Sequence, residues 1–258
     1  MRLPAMTGTI ERRLLVNYRA DPAAVAALLP APLEPQLVRD SAVVDICLIR
    51  LAALRPLGLP AAVGFRSENA AHRIAVRWRD PKLGDRTGVY IPHRHSASRL
   101  TVGLGGRVFP GRHTRGRFQV REAQDRVGLT ITTEVGPLVE VEARTTDTWP
   151  QSRLFAGLDE ASTFFRQGCD GYSPARQGDA LDGVRLETSD WSVVPAEPLH
   201  ARSAVLDDPR VFPPGTLELD HALLMRQVPV VWHALPTIWC PVGERARLGA
   251  QRVRLEAP

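Results

Sequence analysis

Polarity alternates along most of this chain with a period near two residues. Glu11–Tyr18 (Glu-Arg-Arg-Leu-Leu-Val-Asn-Tyr) reads as a first strand. Asp21–Leu29 reads as a short helix: Asp21 can cap it, Pro22 suits its first position, and Pro30 and Pro32 stop it. Ser41–Ile49 is apolar on both faces except for Asp45, the pattern of a strand covered on both sides. Further strands are predicted at Ala61–Arg66, His72–Trp78, Gly88–Pro92, Leu100–Leu104, Arg117–Glu122, Val127–Thr133 and Leu138–Arg144. Short polar turns join several of them, which favours antiparallel neighbours. Gly157–Arg166 has apolar residues three to four apart with Gly168 beyond its end, so a second helix is predicted there. Val184–Leu186, Trp191–Val194 and His200–Val205 add short strands, Leu219–Arg226 fits either helix or strand, and Val228–His233 reads as a last strand. No repeat, low-complexity tract or linker interrupts the pattern. Residues 1–258 are therefore read as one α+β domain, mostly antiparallel β.

Composition narrows the class. Hydrophobic residues make up 44% and charged residues 24%, an ordinary globular balance that excludes a disordered chain. No apolar run nears the roughly 20 residues of a membrane span, and Met1–Gly8 has an early Arg without an apolar stretch behind it. No membrane association and no secretory signal are expected. Cys47, Cys169 and Cys240 lie far apart with no CxxC pair, so neither a disulfide framework nor a zinc site is expected. A reducing cytoplasm fits this usage. The net charge is +5, but the arginines are scattered among acids rather than gathered with groove-reading elements, so no nucleic-acid partner is expected. Of the 33 basic residues only one, Lys82, is a lysine.

The stretch VNYRADPAAVAALLPAPLEPQLVRDSAVVDICLIRLAALRPLG (Val16–Gly58) resembles the acetoacetate decarboxylase-like superfamily: a strand ending in Tyr-Arg, a helix after Asp, Leu-Pro-x-Pro-Leu-Glu, then a buried strand with one acid. GVYIPHRHSASRL (Gly88–Leu100), GGRVFPGRH (Gly105–His113), EASTFFRQGCDGYS (Glu160–Ser173) and DHALLMR (Asp220–Arg226) resemble its YqjF-like (DUF2071) branch, whose function is unknown. The resemblance implies a cone-like, mostly antiparallel β-barrel with a few flanking helices. Such a barrel removes sheet edges and leaves room for one small ligand. The resemblance also implies a homo-oligomer, since decarboxylase relatives form large assemblies.

Acetoacetate decarboxylases form a Schiff base between a lysine of lowered pKa and a β-keto acid. By position that lysine falls near Ser98, Arg99 or Leu100, none of which is an amine, and arginine cannot form the imine. Lys82 sits in Asp80-Pro-Lys-Leu-Gly-Asp85, which reads as a solvated turn. Asp45 and Glu68 match positions where decarboxylases keep cavity carboxylates. A cavity acid has its charged form disfavoured and its pKa raised toward the range of proton transfer. The alternative for each is a carboxylate paired with an arginine such as Arg12 or Arg66. His93 and His95 share a face if they lie on a strand. That pattern fits acid/base work by His95, ligand contact by His93, a metal site with His113, His72 or Glu68 as a third ligand, or plain packing and surface roles. Arg94, Arg99 and Arg107 could clamp a carboxylate with their forked donors. Arg12 and Arg13 lie near the decarboxylases' substrate-contacting arginine; alternation turns only one of them inward, and either could be that one.

Gly103-Leu-Gly-Gly-Arg107 lacks the Lys-Ser/Thr of a phosphate loop, and no G-x-S-x-G elbow occurs. The expected activity is acid/base chemistry on a small oxo or carboxylic compound without a Schiff base, possessing Glu68, Asp45 and His95 as catalytic groups and Arg99, Arg12 and His93 as substrate contacts. No cofactor and no metal are expected. A ligand-binding barrel without catalysis is the competing expectation.

Overall fold

A computed structural model describes residues 5–105, 109–175 and 179–241. The N-terminal part runs β1 (Met6–Ala20), α1 (Pro22–Ala26), β2 (Glu34–Pro35), β3 (Leu37–Val38), β4 (Ser41–Pro56), β5 (Phe65–Asp80) and β6 (Gly84–Tyr90). An excursion follows: β7 (Arg94–Ser96), α2 (Arg99–Leu104) and β8 (His113–Arg115). Then come β9 (Arg117–Glu122), β10 (Arg126–Thr133), β11 (Gly136–Thr145), α3 (Leu158–Gln167), β12 (Asp170–Pro174), β13 (Ala180–Glu187), β14 (Val194–Ser203) and β15 (Leu217–Trp239).

Hydrogen bonding runs β1-β4-β5-β6-β12-β13-β15, and β15 pairs back onto β1, so these strands close into a ring, as a barrel requires. All its pairings are antiparallel except β6 with β12. That parallel junction needs a glycine: a Cβ on Gly88 would lie 2.3 Å from the carbonyl oxygen of Asp170. From β15 the sheet continues through β14, β11, β10 and β9.

Alternation sorts β1, β4 and β5 into two faces. Leu14, Val16, Ile46, Leu48, Ile74 and Val76 point outward into one large core with Val127, Leu129, Ile131, Val139 and Val141 of β10 and β11. Leu15, Cys47, Ala75 and Leu223 point inward, where Leu154, Phe155, Ala161 and Phe165 from α3 and the segment before it pack on them. A strand covered on both sides has no room for a polar stripe, which is why Ser41–Ile49 is almost uniformly apolar.

Four expected elements differ in detail; of the expected strand Trp191–Val194 only Val194 is strand, as the first residue of β14. Leu100–Leu104 is a helical turn, because the Ser98 side chain caps it by accepting from Thr101 N. The Ala61–Arg66 stretch begins as a 3-10 turn at Ala61–Val63 before β5 starts. Leu219–Arg226 and Val228–His233 belong to one strand, β15, with Gln227 in the left-handed region at φ 54°. The helix at Pro22 is capped by Asp21 as expected.

Candidate functional site

Arg13 projects into the ring, level with Ile49 of β4 and Met225 of β15. It lines a cavity of about 150 Å³ to which all seven ring strands contribute, together with the β7-α2-β8 excursion. Among the described residues the polar lining comprises Arg13, Asn69, Arg73, Arg94, His95, Thr101 and His113, with Cys47 and Cys169, and no carboxylate. Arg73 is held from behind by Asp45: its Nε and Nη2 donate to the two carboxylate oxygens at 2.7 and 2.9 Å. Both side chains are buried. Burial disfavours the Arg73 charge, but Asp45 outweighs that and raises the pKa above the ordinary arginine value.

The other cavity cations have no such partner. Arg13 and Arg94 make no ion pair among the described residues, and the Nε of each is buried without a hydrogen bond. Arg94 reaches Ser173 Oγ at 3.3 Å through Nη2. Burial, with the charge of Arg73 nearby, lowers the Arg94 pKa to about 10, so it stays a cation at neutral pH. Thr101 Oγ1 and His95 Nδ1 are also buried and unpartnered. Burial lowers the His95 pKa to about 2, helped by His93, His72 and His113. His113 falls to about 3 through burial and the charge of Arg94. Both imidazoles are therefore neutral at pH 7. Buried polar atoms normally find partners, so this concentration of orphans around one cavity marks a place built for a polar guest.

Arg12, one residue before Arg13, points the other way. It is fully buried and donates to Glu68 Oε2 at 2.6 Å and to Glu122 Oε1 at 2.5 Å. Arg50 also binds Glu68 and lies 2.9 Å from Glu122, which accepts in addition from Arg226 at 2.9 Å. This cluster ties β1, β4, β5 and β15 to β9. Burial would raise the Glu122 pKa, but hydrogen bonds from Arg226 and Arg12 outweigh it and hold it at about 2. His72 lies on the same outer face, with Nε2 2.8 Å from Ser203 Oγ; burial, then His93, lowers its pKa to about 4.

The expected site residues thus divide. His95 lines the cavity, whereas Asp45 does not: it stands behind the wall paired with Arg73, the arginine-paired alternative expected for it. His93 is buried beside His95, ring centroids 4.7 Å apart, and pairs with Thr114 Oγ1. Glu68 and Arg12 are on the outer face, so the expected Glu68–Asp45 couple does not form: cross-strand register puts Asp45 opposite Arg73 and Glu68 opposite Arg50, an odd number of residues apart along β4. Glu68 has taken the alternative expected for it, pairing with Arg12. Arg99 is exposed on the first turn of α2 and does not line the cavity. Arg107 lies outside the described residues. Lys82 occupies the exposed turn between β5 and β6, where its amide donates to Asp80. Among the described residues no group of three or more His, Cys, Asp or Glu is arranged to hold a metal ion.

Arg73 and Thr101 carry no local signal as site residues; each is identified only by the strand or turn that brings it to the cavity. An open groove outside the ring shares Cys169 and Leu186 with the cavity wall. Two of its arginines, Arg86 and Arg185, both pair with Asp170, Arg185 through two bonds at 2.6 and 2.8 Å.

The chain is similar in structure to acetoacetate decarboxylase from Legionella pneumophila, with a TM-score of 0.61 at 10% identity over 91% of this chain and 88% of that one. An acetoacetate decarboxylase-like enzyme from Sphingomonas wittichii gives 0.59 at 16% identity, covering 93% and 94%. The enduracididine biosynthesis enzyme MppR, solved with pyruvate, gives 0.58 at 12% identity, covering 90% and 89%. A search of curated proteins returned no match. At these identities the likeness establishes an acetoacetate decarboxylase-like fold. Residues 7–227 match the profile of DUF2071, described as an uncharacterized conserved protein (COG2071). With that match spanning most of its length, the chain belongs to the DUF2071 family.

Proposed function

We propose that the ring cavity binds a small oxo or carboxylic compound and that the protein acts on it by acid/base chemistry without a Schiff base. The observation that carries this is Arg13: a buried guanidinium with an unpartnered Nε on a wall where no described residue is a carboxylate. An isolated buried charge is costly unless paired. A ligand carboxylate supplies the missing partner in the forked geometry that arginine favours. The cavity suits a guest about the size of benzene, which occupies an engineered cavity of about 150 Å³. Small oxo acids have that size, and pyruvate is one.

Chemistry then falls to the imidazoles. His95 is neutral at pH 7, and a bound anion opposes the burial that keeps it so, raising its pKa toward the range of proton transfer. Asp45 acts as a positioning residue by fixing Arg73, and the Arg12–Glu68 pair supports the strand that presents Arg13. Among the described residues no amine lines the cavity, and the one lysine of the sequence, Lys82, occupies the exposed turn. A purely binding role is favoured by one observation: an imidazole with a pKa near 2 is a weak base until a ligand changes it.

Calorimetric titration with pyruvate and acetoacetate, followed by borohydride reduction and intact mass, tests this. Binding by the native chain, its loss in Arg13→Gln, and an unchanged mass are expected, with Lys82→Ala behaving as native. Product formation separates enzyme from binder. A covalent adduct on Lys82 would restore imine chemistry, and no binding of either acid would remove the cavity as the site.

A further inference from the structure

Beyond the presence of an anion site, the cavity shows how the positive charge is distributed. Arg73 is matched by Asp45, which leaves Arg13, buried, and Arg94, half-buried with its Nε enclosed, as two cations without a carboxylate among the described residues. They do not stand side by side. Arg13 is on β1, and Arg94 on β7, with β4 and β5 between them: Arg13 faces Ile49, Ile49 faces Asn69, and Asn69 faces Ser96 of β7. Three strand spacings separate the two strands, about 14 Å across the sheet. The side chains therefore enter the same cavity from separate stretches of wall, each with its Nε buried and unpartnered.

Resting on the reading above, we propose that the ligand is a compact dicarboxylate of about four carbons, one carboxylate on Arg13 and the other on Arg94. A single small anion could satisfy one of these guanidinium groups and would leave the other uncompensated in the cavity wall. Two carboxylates on a short chain neutralise both. Thr101 Oγ1 and His95 Nδ1 remain as neutral hydrogen-bonding groups for whatever lies between the two ends, an oxo or hydroxyl oxygen. A tetrahedral dianion such as inorganic phosphate concentrates its charge at one point and matches two separated arginines less well.

The test is competition between matched ligands on the full chain, by calorimetry at pH 7.5: succinate against butyrate, oxaloacetate against 2-oxobutyrate, and inorganic phosphate alone. Each pair differs by one carboxylate in place of a methyl group. One added charged hydrogen-bonded contact corresponds to at least about a tenfold gain in affinity, and that is the expected preference for the diacid. Arg13→Gln and Arg94→Gln should each bring the diacid down to the level of its monoacid partner. Should either variant fail to fold, the preference of the native chain decides alone. Equal binding within each pair would overturn the dicarboxylate while leaving the monoacid site intact. Phosphate binding more tightly than succinate would also overturn it. No binding by any ligand would remove the underlying site as well, a result distinct from both.

Discussion

Arg12 and Arg13 are consecutive residues whose guanidinium groups lie on opposite sides of β1. Arg12 closes the outer cluster with Glu68 and Glu122, and Arg13 lines the cavity with no carboxylate beside it among the described residues. The same residue type thus serves cohesion at one position and recognition at the next. Arg12→Met should destabilise the fold, by about 3–5 kcal/mol as for a broken buried ion pair. Arg13→Met should leave the melting temperature equal or higher and abolish carboxylate binding. Thermal melts and calorimetry on the two variants check the contrast; equal destabilisation would mean that Arg13 also has a structural partner.

Asp45 is the counter-charge of Arg73, and both are buried. Asp45→Asn should cost about 3–5 kcal/mol, because it leaves a buried guanidinium uncompensated. A double variant, Asp45→Leu with Arg73→Met, should recover much of that loss. Urea unfolding of the three proteins checks it. If the double variant is as unstable as the sum of its parts, the pair does not act as a unit.

Acid should loosen the fold through its histidines before its carboxylates. Burial depresses the pKa values of His72, His95 and His113 from 6.5 to about 4, 2 and 3. Below pH 6.5 the unfolded chain takes up protons that the folded chain refuses, so the stability present above that pH declines as pH falls toward 4. Glu122, depressed to about 2 from 4.5, adds its own loss only below about pH 4.5. Urea midpoints at pH 7.5, 6.0 and 5.0 should therefore fall steadily, and a saturating anionic ligand should reduce the decline. A flat profile over this range would mean that the three imidazoles carry ordinary pKa values.

Gly88 permits the parallel junction that completes the ring. Gly88→Ala would push a methyl group against the Asp170 carbonyl oxygen, and backbone on both sides limits relaxation. A loss of about 1–3 kcal/mol is expected, the usual cost of overpacking. Comparing its melting temperature with that of Gly84→Ala, whose Cβ meets nothing within 4 Å, separates crowding from a general glycine effect; Gly84 bears a separate strain from its φ of +74°. Equal and small losses would show that β6 and β12 can part without consequence.

Most of the strands were legible from alternation, because a chain covered on both faces must write its register in apolar residues: Val16, Ile46 and Ile74 outward, Leu15, Cys47 and Ala75 inward. Leu100–Leu104 was not, since the capping by Ser98 outweighs a short apolar run. At the site, His95 and Asp45 stood out as polar residues in unusual settings. Glu68 stood out equally and lies on the other face, for a lone acid on a strand does not announce which side it takes; the register with Arg50 decides that. Arg73 and Thr101 gave no signal because their roles come from the closing of the ring.

The pairing of β1 with β15 has a consequence for how the protein is made. Met6 is hydrogen-bonded in register with Trp232, so β1 leaves the ribosome more than two hundred residues ahead of the strand it pairs with. Until then β1, paired with β4 on one side only, exposes an open edge of a long apolar strand, the kind of surface that associates with other chains. Contacts so distant in sequence also slow folding. Production at lower temperature and slower synthesis should therefore raise the soluble yield more than any change to the finished surface, and loss of β15 should leave a chain that aggregates rather than a smaller barrel.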